Sequence, residues 1–181
     1  MFKNFLENVW EISKIIIISL LIIVPIRYFV VQPFFVKGAS MEPNFDDGEY
    51  VIIDEISYNF KQPARGEVIV FKYPNDPSQY YIKRIIGLPG ENIKINNKKV
   101  FLVKDGKETE IHEDYLGNII TSADANVQLG INEYFVMGDN RTKSFDSRQW
   151  GPLLKKHIIG KVWIRVFPFN KFKVFGFSAI N

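Results

Sequence analysis

The sequence predicts a mostly β protein, in which one N-terminal apolar helix precedes an antiparallel β-sheet domain. Three observations support this fold class. A single apolar run lies near the N-terminus, short runs rich in Val, Ile, Tyr and Phe recur between turn residues after it, and no clear helical periodicity follows. With 181 residues, the chain has room for one core and is too short for two full-sized domains.

Composition excludes several kinds of site. The chain has no cysteine and only two histidines, His112 and His157, which excludes thiolate zinc sites, iron–sulfur clusters, cysteine nucleophiles and three-histidine metal sites. Lys and Arg total 23 against 20 Asp and Glu, and these basic residues are scattered along the chain. This distribution argues against a nucleic-acid partner. We therefore expect no cofactor, no metal and no nucleic acid.

The apolar run determines the expected location of the chain. Residues 15–26 carry no charge but, at about 1.5 Å per residue, cover only about 18 Å of a hydrocarbon core roughly 30 Å thick. Residues 12–31 are long enough, with Lys14 and Arg27 near the ends, where long side chains reach the headgroups. We favour an uncleaved anchor at 12–31, preceded by a short segment, 1–11. A cleaved signal peptide and a buried soluble helix are the alternatives, and charge alone does not fix the orientation.

The β domain is expected at residues 32–181. Its predicted strands are 49–54, 67–71, 80–86, 99–103, 134–137 and 160–167. Turn residues such as Asp-Asp-Gly at 46–48 and Leu-Pro-Gly at 88–90 separate them. The segment 91–133 is more polar and lacks a strong apolar repeat, so we expect it to form a β-ribbon insertion outside the main core.

Two residues of the β domain differ chemically from their surroundings. Ser40 lies in Gly-Ala-Ser-Met-Glu-Pro at 38–43, where small neighbours would let a substrate backbone approach the hydroxyl. Lys83 lies in a predicted strand, where the period of two places it on the same face as Tyr81 and Ile85. If that face enters the core, the lysine is buried. Taken alone, the serine also fits an ordinary turn, and the lysine also fits an edge strand.

A third segment is the polar loop Gly-Asp-Asn-Arg-Thr-Lys-Ser-Phe-Asp-Ser-Arg at 138–148. Four of its residues carry charges of alternating sign: Asp139, Arg141, Asp146 and Arg148. Such charges could form a cross-linked platform that braces a site and holds Ser144 or Ser147 in place. The alternative is a loop exposed to solvent.

Four segments together resemble type I signal peptidases in order and spacing. They are 38–43, Arg-Gly-Glu-Val-Ile-Val-Phe at 65–71, Tyr-Ile-Lys-Arg-Ile-Ile-Gly-Leu-Pro-Gly-Glu at 81–91, and 138–148. The resemblance spans about residues 31–167 and is more specific than any one of the motifs. It implies a signal-peptidase-like β fold and a membrane-anchored serine endopeptidase that removes signal peptides from exported preproteins. It also implies that the catalytic domain lies on the extracytoplasmic side of the cytoplasmic membrane, with the segment 1–11 as a short cytoplasmic N-terminus.

A Ser40–Lys83 dyad follows from this resemblance and is chemically reasonable. A serine hydroxyl needs a base, and neither histidine lies in the four segments. A lysine with a reference pKa of about 10.4 is almost fully charged at pH 7, but burial can lower this pKa by about 3 to 5 units. Tyr81, Ile85 and Phe145 are candidates for the apolar surroundings that burial requires.

The resemblance also assigns roles to residues around the dyad. Ser144 would orient the lysine, while Asp146 and Arg148 would pair and brace the loop. The oxyanion hole would use the Ser40 backbone N–H. Some family members add a side-chain hydroxyl two residues earlier, but that position is Gly38 here, so a second donor is not identified.

Substrates of the family carry small residues one and three positions before the cut, an Ala-x-Ala pattern, and bind as an added extended strand. Met41 and Ile82 are expected to line the substrate pocket. The implied partners are preproteins that bear signal peptides, and the lipid bilayer. One alternative is a degenerate signal-peptidase-like subunit that binds preproteins without cutting them. A second is a relative of the autocleaving repressors, which use Ser and Lys on a similar β scaffold but are soluble.

Overall fold

The computed structural model describes residues 2–29, 31–121 and 123–176, with the backbone alone at 2–8, 23–29 and 31. Its helices are α1 (Phe2–Phe29), α2 (Ser57–Phe60) and α3 (Ser147–Trp150). Its strands are β1 (Val31–Phe35), β2 (Tyr50–Asp54), β3 (Val68–Tyr73), β4 (Asp76–Gly87), β5 (Asn92–Asn96), β6 (Lys99–Lys104), β7 (Lys107–Glu110), β8 (Ala125–Gln128), β9 (Glu133–Met137), β10 (Leu153–Leu154), β11 (Ile158–Phe167) and β12 (Lys173–Val174). The mostly β, antiparallel prediction is confirmed.

The larger sheet has the order β1-β2-β11-β3-β4-β9-β10, and β12 pairs with β11. Its central strand, β3, is buried on both faces, because Val68 and Val70 enter one apolar cluster and Ile69 and Phe71 enter another. A strand covered on both faces can be apolar without alternation, which explains the continuous run Val-Ile-Val-Phe.

Strand β4 lies between β3 and β9 in this sheet. Lys83 is paired with Ile69 of β3, and the next residue, Arg84, is paired with Met137 of β9. The edge-strand alternative for Lys83 is therefore wrong, because β4 has a hydrogen-bonded neighbour on each side at this point. The lysine is buried, with 4% of its surface exposed.

The smaller sheet has the order β7-β6-β5-β8, and its strands all come from residues 92–128. Ile93, Ile95 and Val100 are buried in it against Phe135 and Met137 of the larger sheet. The expectation that this part of the chain lies outside the core is therefore wrong. In β5 the apolar residues alternate with polar ones, which gives one buried face from a run of low overall hydrophobicity.

Helix α1 contains most of the predicted membrane anchor. The anchor prediction, 12–31, includes residue 30, which lies outside the described residues. Within the residues that are described, no helix is both long enough and apolar enough to cross a membrane. The anchor is not confirmed and stays a prediction.

Candidate active site

Ser40 lies in the segment that joins β1 to β2. The base of this segment is closed by two backbone hydrogen bonds: Val36 N–H donates to Glu49 O (2.8 Å), and Gly48 N–H donates to Val36 O (3.0 Å). Next to the serine, Met41 is fully buried in an apolar cluster of the larger sheet. Packing and hydrogen bonds therefore fix the half-buried Ser40, although it lies outside regular secondary structure.

Gly38 has a conformational reason to be glycine. Its φ is +88°, a region that side chains rarely adopt, while the space where a Cβ would stand is open. Its N–H donates to Asp47 Oδ1 (2.6 Å). A hydroxyl-bearing residue at this position would need a strained backbone or a different turn.

Lys83 points at the serine. Its Nζ lies 2.8 Å from Ser40 Oγ and 2.9 Å from the carbonyl oxygen of Ile82, to which it donates. Burial lowers the pKa of Lys83 to about 8, although the negative charges of Asp146 and Asp139 oppose this shift. With that pKa, about a tenth of the lysines are neutral at pH 7, whereas an exposed lysine is almost entirely charged.

The loop 138–148 contacts the nucleophile through its backbone. Asn140 N–H donates to the Ser40 carbonyl oxygen (3.0 Å). A Cβ on Gly138 would lie only 2.3 Å from that same oxygen and 2.3 Å from Ser144 Oγ. Glycine is thus required at 138 for the loop to approach Ser40 this closely.

Ser144 is buried beside the Asp146 carboxylate and contributes to the low pKa of that group. The Ser144 hydroxyl and Lys83 Nζ, both in the described part of the chain, are not hydrogen-bonded to each other. The geometry therefore brings Ser144 to the site without the direct bond to lysine that the resemblance implies.

Asp146 and Arg148 form a buried bidentate pair, with Nε–Oδ1 and Nη2–Oδ2 distances of 2.8 Å each. Asp146 also accepts from Gly138 N–H (3.0 Å) and caps α3. Burial alone would raise the pKa of Asp146, but the hydrogen bonds and charge of Arg148 outweigh it, so the pKa is lowered. The carboxylate stays ionised at neutral pH.

Asp139 and Arg141 are paired with residues outside the loop. Asp139 accepts from Arg84 Nε (2.8 Å) and Nη2 (2.5 Å), while Arg141 donates from Nη1 (2.8 Å) and Nη2 (2.5 Å) to Glu113. The hypothesis of a platform cross-linked within the loop misses these two partners. The position of Arg84, directly after Lys83 in the chain, could have indicated that it lies near the site. Glu113 has no comparable signal in the sequence, because it comes from the smaller-sheet region.

A cleft of about 300 Å³ contains both Ser40 and Lys83. Three residues predicted for its surroundings line it: Tyr81, Ile82 and Phe145. Two others do not, since Met41 and Ile85 are fully buried in core clusters. The prediction that Met41 lines the pocket is therefore wrong, because its side chain is buried in the core next to Ser40.

Neither His112 nor His157 lines this cleft. Within the described residues, no group of three or more His, Asp or Glu side chains could hold a metal ion. A serine hydroxyl beside a buried, partly neutral lysine is a nucleophile–base pair, and such a pair in an apolar cleft is typical of a serine hydrolase.

Comparison with known proteins gives the family. The family described as "Signal peptidase, peptidase S26" matches residues 9–167. Signal peptidase IB of Staphylococcus aureus (strain MRSA252) is 34% identical, with 99% of this chain and 97% of that protein covered. Signal peptidase I of Bacillus amyloliquefaciens is 35% identical, with 89% of each chain covered. A crystal structure of a signal peptidase I from Enterococcus faecalis V583 is 29% identical, with a TM-score of 0.49 over 56% of this chain and 97% of that one.

The chain therefore belongs to the signal peptidase family, peptidase S26, and is a serine endopeptidase. Its relatives are bacterial type I signal peptidases, which supports the removal of signal peptides as its reaction.

Proposed function

We propose that this peptidase cuts preproteins with Ser40 as the nucleophile and neutral Lys83 as the general base. The observation that carries the proposal is the 2.8 Å approach of Lys83 Nζ to Ser40 Oγ in a buried site that lowers the lysine pKa to about 8. The presence and contact of both groups argue against the degenerate-subunit alternative.

In the first half of the reaction, the neutral amine of Lys83 accepts the proton of the Ser40 hydroxyl while Oγ attacks the carbonyl carbon of the substrate. The amine can still donate to the Ile82 carbonyl, which holds it in place. Collapse of the tetrahedral intermediate breaks the peptide bond. The Lys83 ammonium protonates the leaving amine, and an acyl-enzyme remains.

In the second half, Lys83 takes a proton from water, the hydroxide attacks the ester, and the proton returns to Ser40 Oγ. The Ser40 N–H makes no hydrogen bond within the described part of the chain, so it is available to the oxyanion. Asn140 N–H, which donates to the Ser40 carbonyl oxygen, holds that peptide in the required orientation.

The substrate residues next to the cut are proposed to be small, in an Ala-x-Ala pattern. The cleft is about 300 Å³ and is lined mainly by apolar side chains, among them Tyr81 and Ile82 beside the lysine. An extended peptide with small side chains fits a cleft of this size.

We further propose the predicted organisation: a short segment 1–11, an anchor at 12–31, and a catalytic region at 32–181 on the extracytoplasmic side of the membrane, with 91–133 as an insertion. In α1, the apolar side chains of residues 15–18 and 20–22 are all more than half exposed, so the described chain leaves most of this apolar surface uncovered. Carbonate extraction of membranes from cells that make the full chain tests the anchor. Release into the soluble fraction would contradict it.

The catalytic proposal is tested with detergent-solubilised full chain and a preprotein that carries an Ala-x-Ala boundary. Wild type is expected to cut after the last alanine, as read by intact mass. Ser40→Ala and Lys83→Ala are expected to lose at least about 10³-fold in rate. Cleavage by wild type and both variants would contradict the proposed dyad. If wild type binds the preprotein without cleaving it, the degenerate-subunit alternative is favoured.

A further inference from the structure

A carboxylate from the smaller-sheet region reaches into the catalytic loop. Glu113 Oε2 lies 2.8 Å from Arg141 Nη1, and Oε1 lies 2.5 Å from Nη2. The Arg141 side chain is fully buried, and that of Glu113 is 9% exposed. The Thr121 hydroxyl accepts a further hydrogen bond from Arg141. The Tyr115 hydroxyl also accepts from Arg141 Nη2 (3.1 Å), so three residues of this region fix one guanidinium of the loop.

Arg141 in turn contacts the backbone next to the nucleophile. Its Nε donates to the Gly138 carbonyl oxygen (3.1 Å). Gly138 is the residue whose missing side chain lets the loop lie against the Ser40 carbonyl, and Asn140 N–H donates to that carbonyl. One path from Glu113 to the Ser40 backbone thus runs through the Arg141 guanidinium and the turn that it holds, and Glu113 also accepts from the Tyr115 hydroxyl (2.5 Å).

The segment that carries Glu113 is itself held by the smaller sheet. Ile111 N–H donates to Val100 O (2.9 Å), and Thr121 N–H donates to Lys98 O (3.3 Å). Ile111 is also buried in the apolar cluster of that sheet. The carboxylate is therefore presented from a rigid support.

Tyr115 makes a second connection between the same segment and the site. Its carbonyl oxygen accepts from Asn44 Nδ2 (2.9 Å), and the same amide donates to Asp139 Oδ2 (3.0 Å). Its ring lies 4.0 Å from the Arg84 guanidinium. The nucleophile segment, the base-carrying strand and the catalytic loop all contact the segment 111–121.

We propose that Glu113 is a positioning residue of the peptidase reaction, acting through Arg141 to hold the 138–148 loop against Ser40. The smaller sheet would then serve the active site as a brace. This inference rests on the proposed function of Ser40 and Lys83. Neither Glu113 nor Arg141 lines the substrate cleft, so the inference concerns kcat and not substrate binding.

The test compares Glu113→Gln with Glu110→Gln. Glu110 ends β7 of the smaller sheet, three residues before Glu113, and pairs with Lys99 at the surface, so it is a matched control. All assays use the full-length chain at a temperature where near-UV circular dichroism shows each variant folded. Glu113→Gln is expected to lower kcat at least tenfold with KM within twofold, and the control is expected to match wild type. Wild-type kcat in folded Glu113→Gln would overturn the proposal, as would a change in KM alone.

A double-variant cycle tests the route through Arg141. In an Arg141→Gln background, Glu113→Gln is expected to cause no further loss of kcat, because its effect passes through that guanidinium. If the fold losses of kcat in the two single variants multiply in the double variant, the two residues act independently and this route is wrong. A general loss of stability would not give this pattern in folded protein.

If Glu113→Gln does not fold, Glu113→Asp replaces it. The shorter carboxylate keeps the charge but cannot reach both nitrogens, so kcat is expected to fall two- to fivefold at unchanged KM. Unchanged kcat would overturn the proposal. Wild type and Ser40→Ala are run beside each variant, because failure of wild type to cut would show that the proposed function itself is wrong.

Discussion

The Ser40–Lys83 dyad and the 138–148 loop both contain buried cations. The arginines of the loop are paired with carboxylates, whereas the lysine of the dyad is not. Arg141 and Arg148 each make a bidentate pair with a carboxylate, which compensates the buried positive charge. Lys83 is buried to the same degree, yet no carboxylate of the described residues lies within salt-bridge distance of its Nζ, which contacts a hydroxyl and a carbonyl oxygen. Pairing preserves a charge in a dry site, whereas burial without a pair favours loss of the proton.

The largest expected effect comes from removing a paired cation. Arg141→Met should destabilise the protein by about 3–5 kcal/mol, because the Glu113 carboxylate is left buried without its partner. Urea unfolding monitored by circular dichroism measures this change. A loss below about 1 kcal/mol would show that the pair does not hold the loop.

Removing the unpaired cation, Lys83, should change stability in the opposite direction. Lys83→Met should raise stability at pH 7 by about 1–3 kcal/mol while abolishing cleavage, since the folded state no longer holds a lysine whose charged form is disfavoured. The folded pKa, about 8, lies below the unfolded value of 10.5, so this gain should be full below pH 8 and vanish above pH 10.5. Unfolding at pH 7 and pH 11 tests this, and a gain that does not change with pH would contradict it.

The pH dependence of the reaction tests whether the unpaired Lys83 loses its proton in the folded enzyme. Because Lys83 must be neutral to act as a base, kcat/KM should rise about tenfold per pH unit at low pH and level off near pH 8. Initial rates between pH 6 and pH 10 with a peptide substrate measure this limb. A flat profile from pH 6 to pH 9 would exclude a lysine base with this pKa.

Removing an ion pair at the surface should have the smallest effect on stability. Glu108 pairs with Lys94 in the smaller sheet, and both side chains are at least one-third exposed. Glu108→Gln should change stability by less than about 0.5 kcal/mol and leave kcat unaltered, because water screens such pairs. Urea unfolding measures this change, and a loss of stability comparable to that of Arg141→Met would show that pairing, and not burial, sets the size of these effects.

Much of the fold could be predicted from local patterns. The strands near 49–54, 67–71 and 80–86 were predictable because Val, Ile and Tyr cluster between turn residues. The buried face of β5 was missed, because two isoleucines among polar residues give a weak signal until a second sheet covers them. The chemistry of Ser40 and Lys83 was inferred from ordered motifs, while their 2.8 Å contact is a property of the folded chain.

The sequence by itself determined the fold class, the family and the residue types available for catalysis, since these depend on composition, local periodicity and motif order. Only the tertiary structure decided which charges pair. Asp139 meets Arg84 and not Arg141, and Arg141 meets Glu113 across 28 residues of chain. Such partners are set by how two sheets pack against one loop, and no local pattern encodes that arrangement. The depressed pKa of Lys83 has the same origin, because it depends on what surrounds the amine in space.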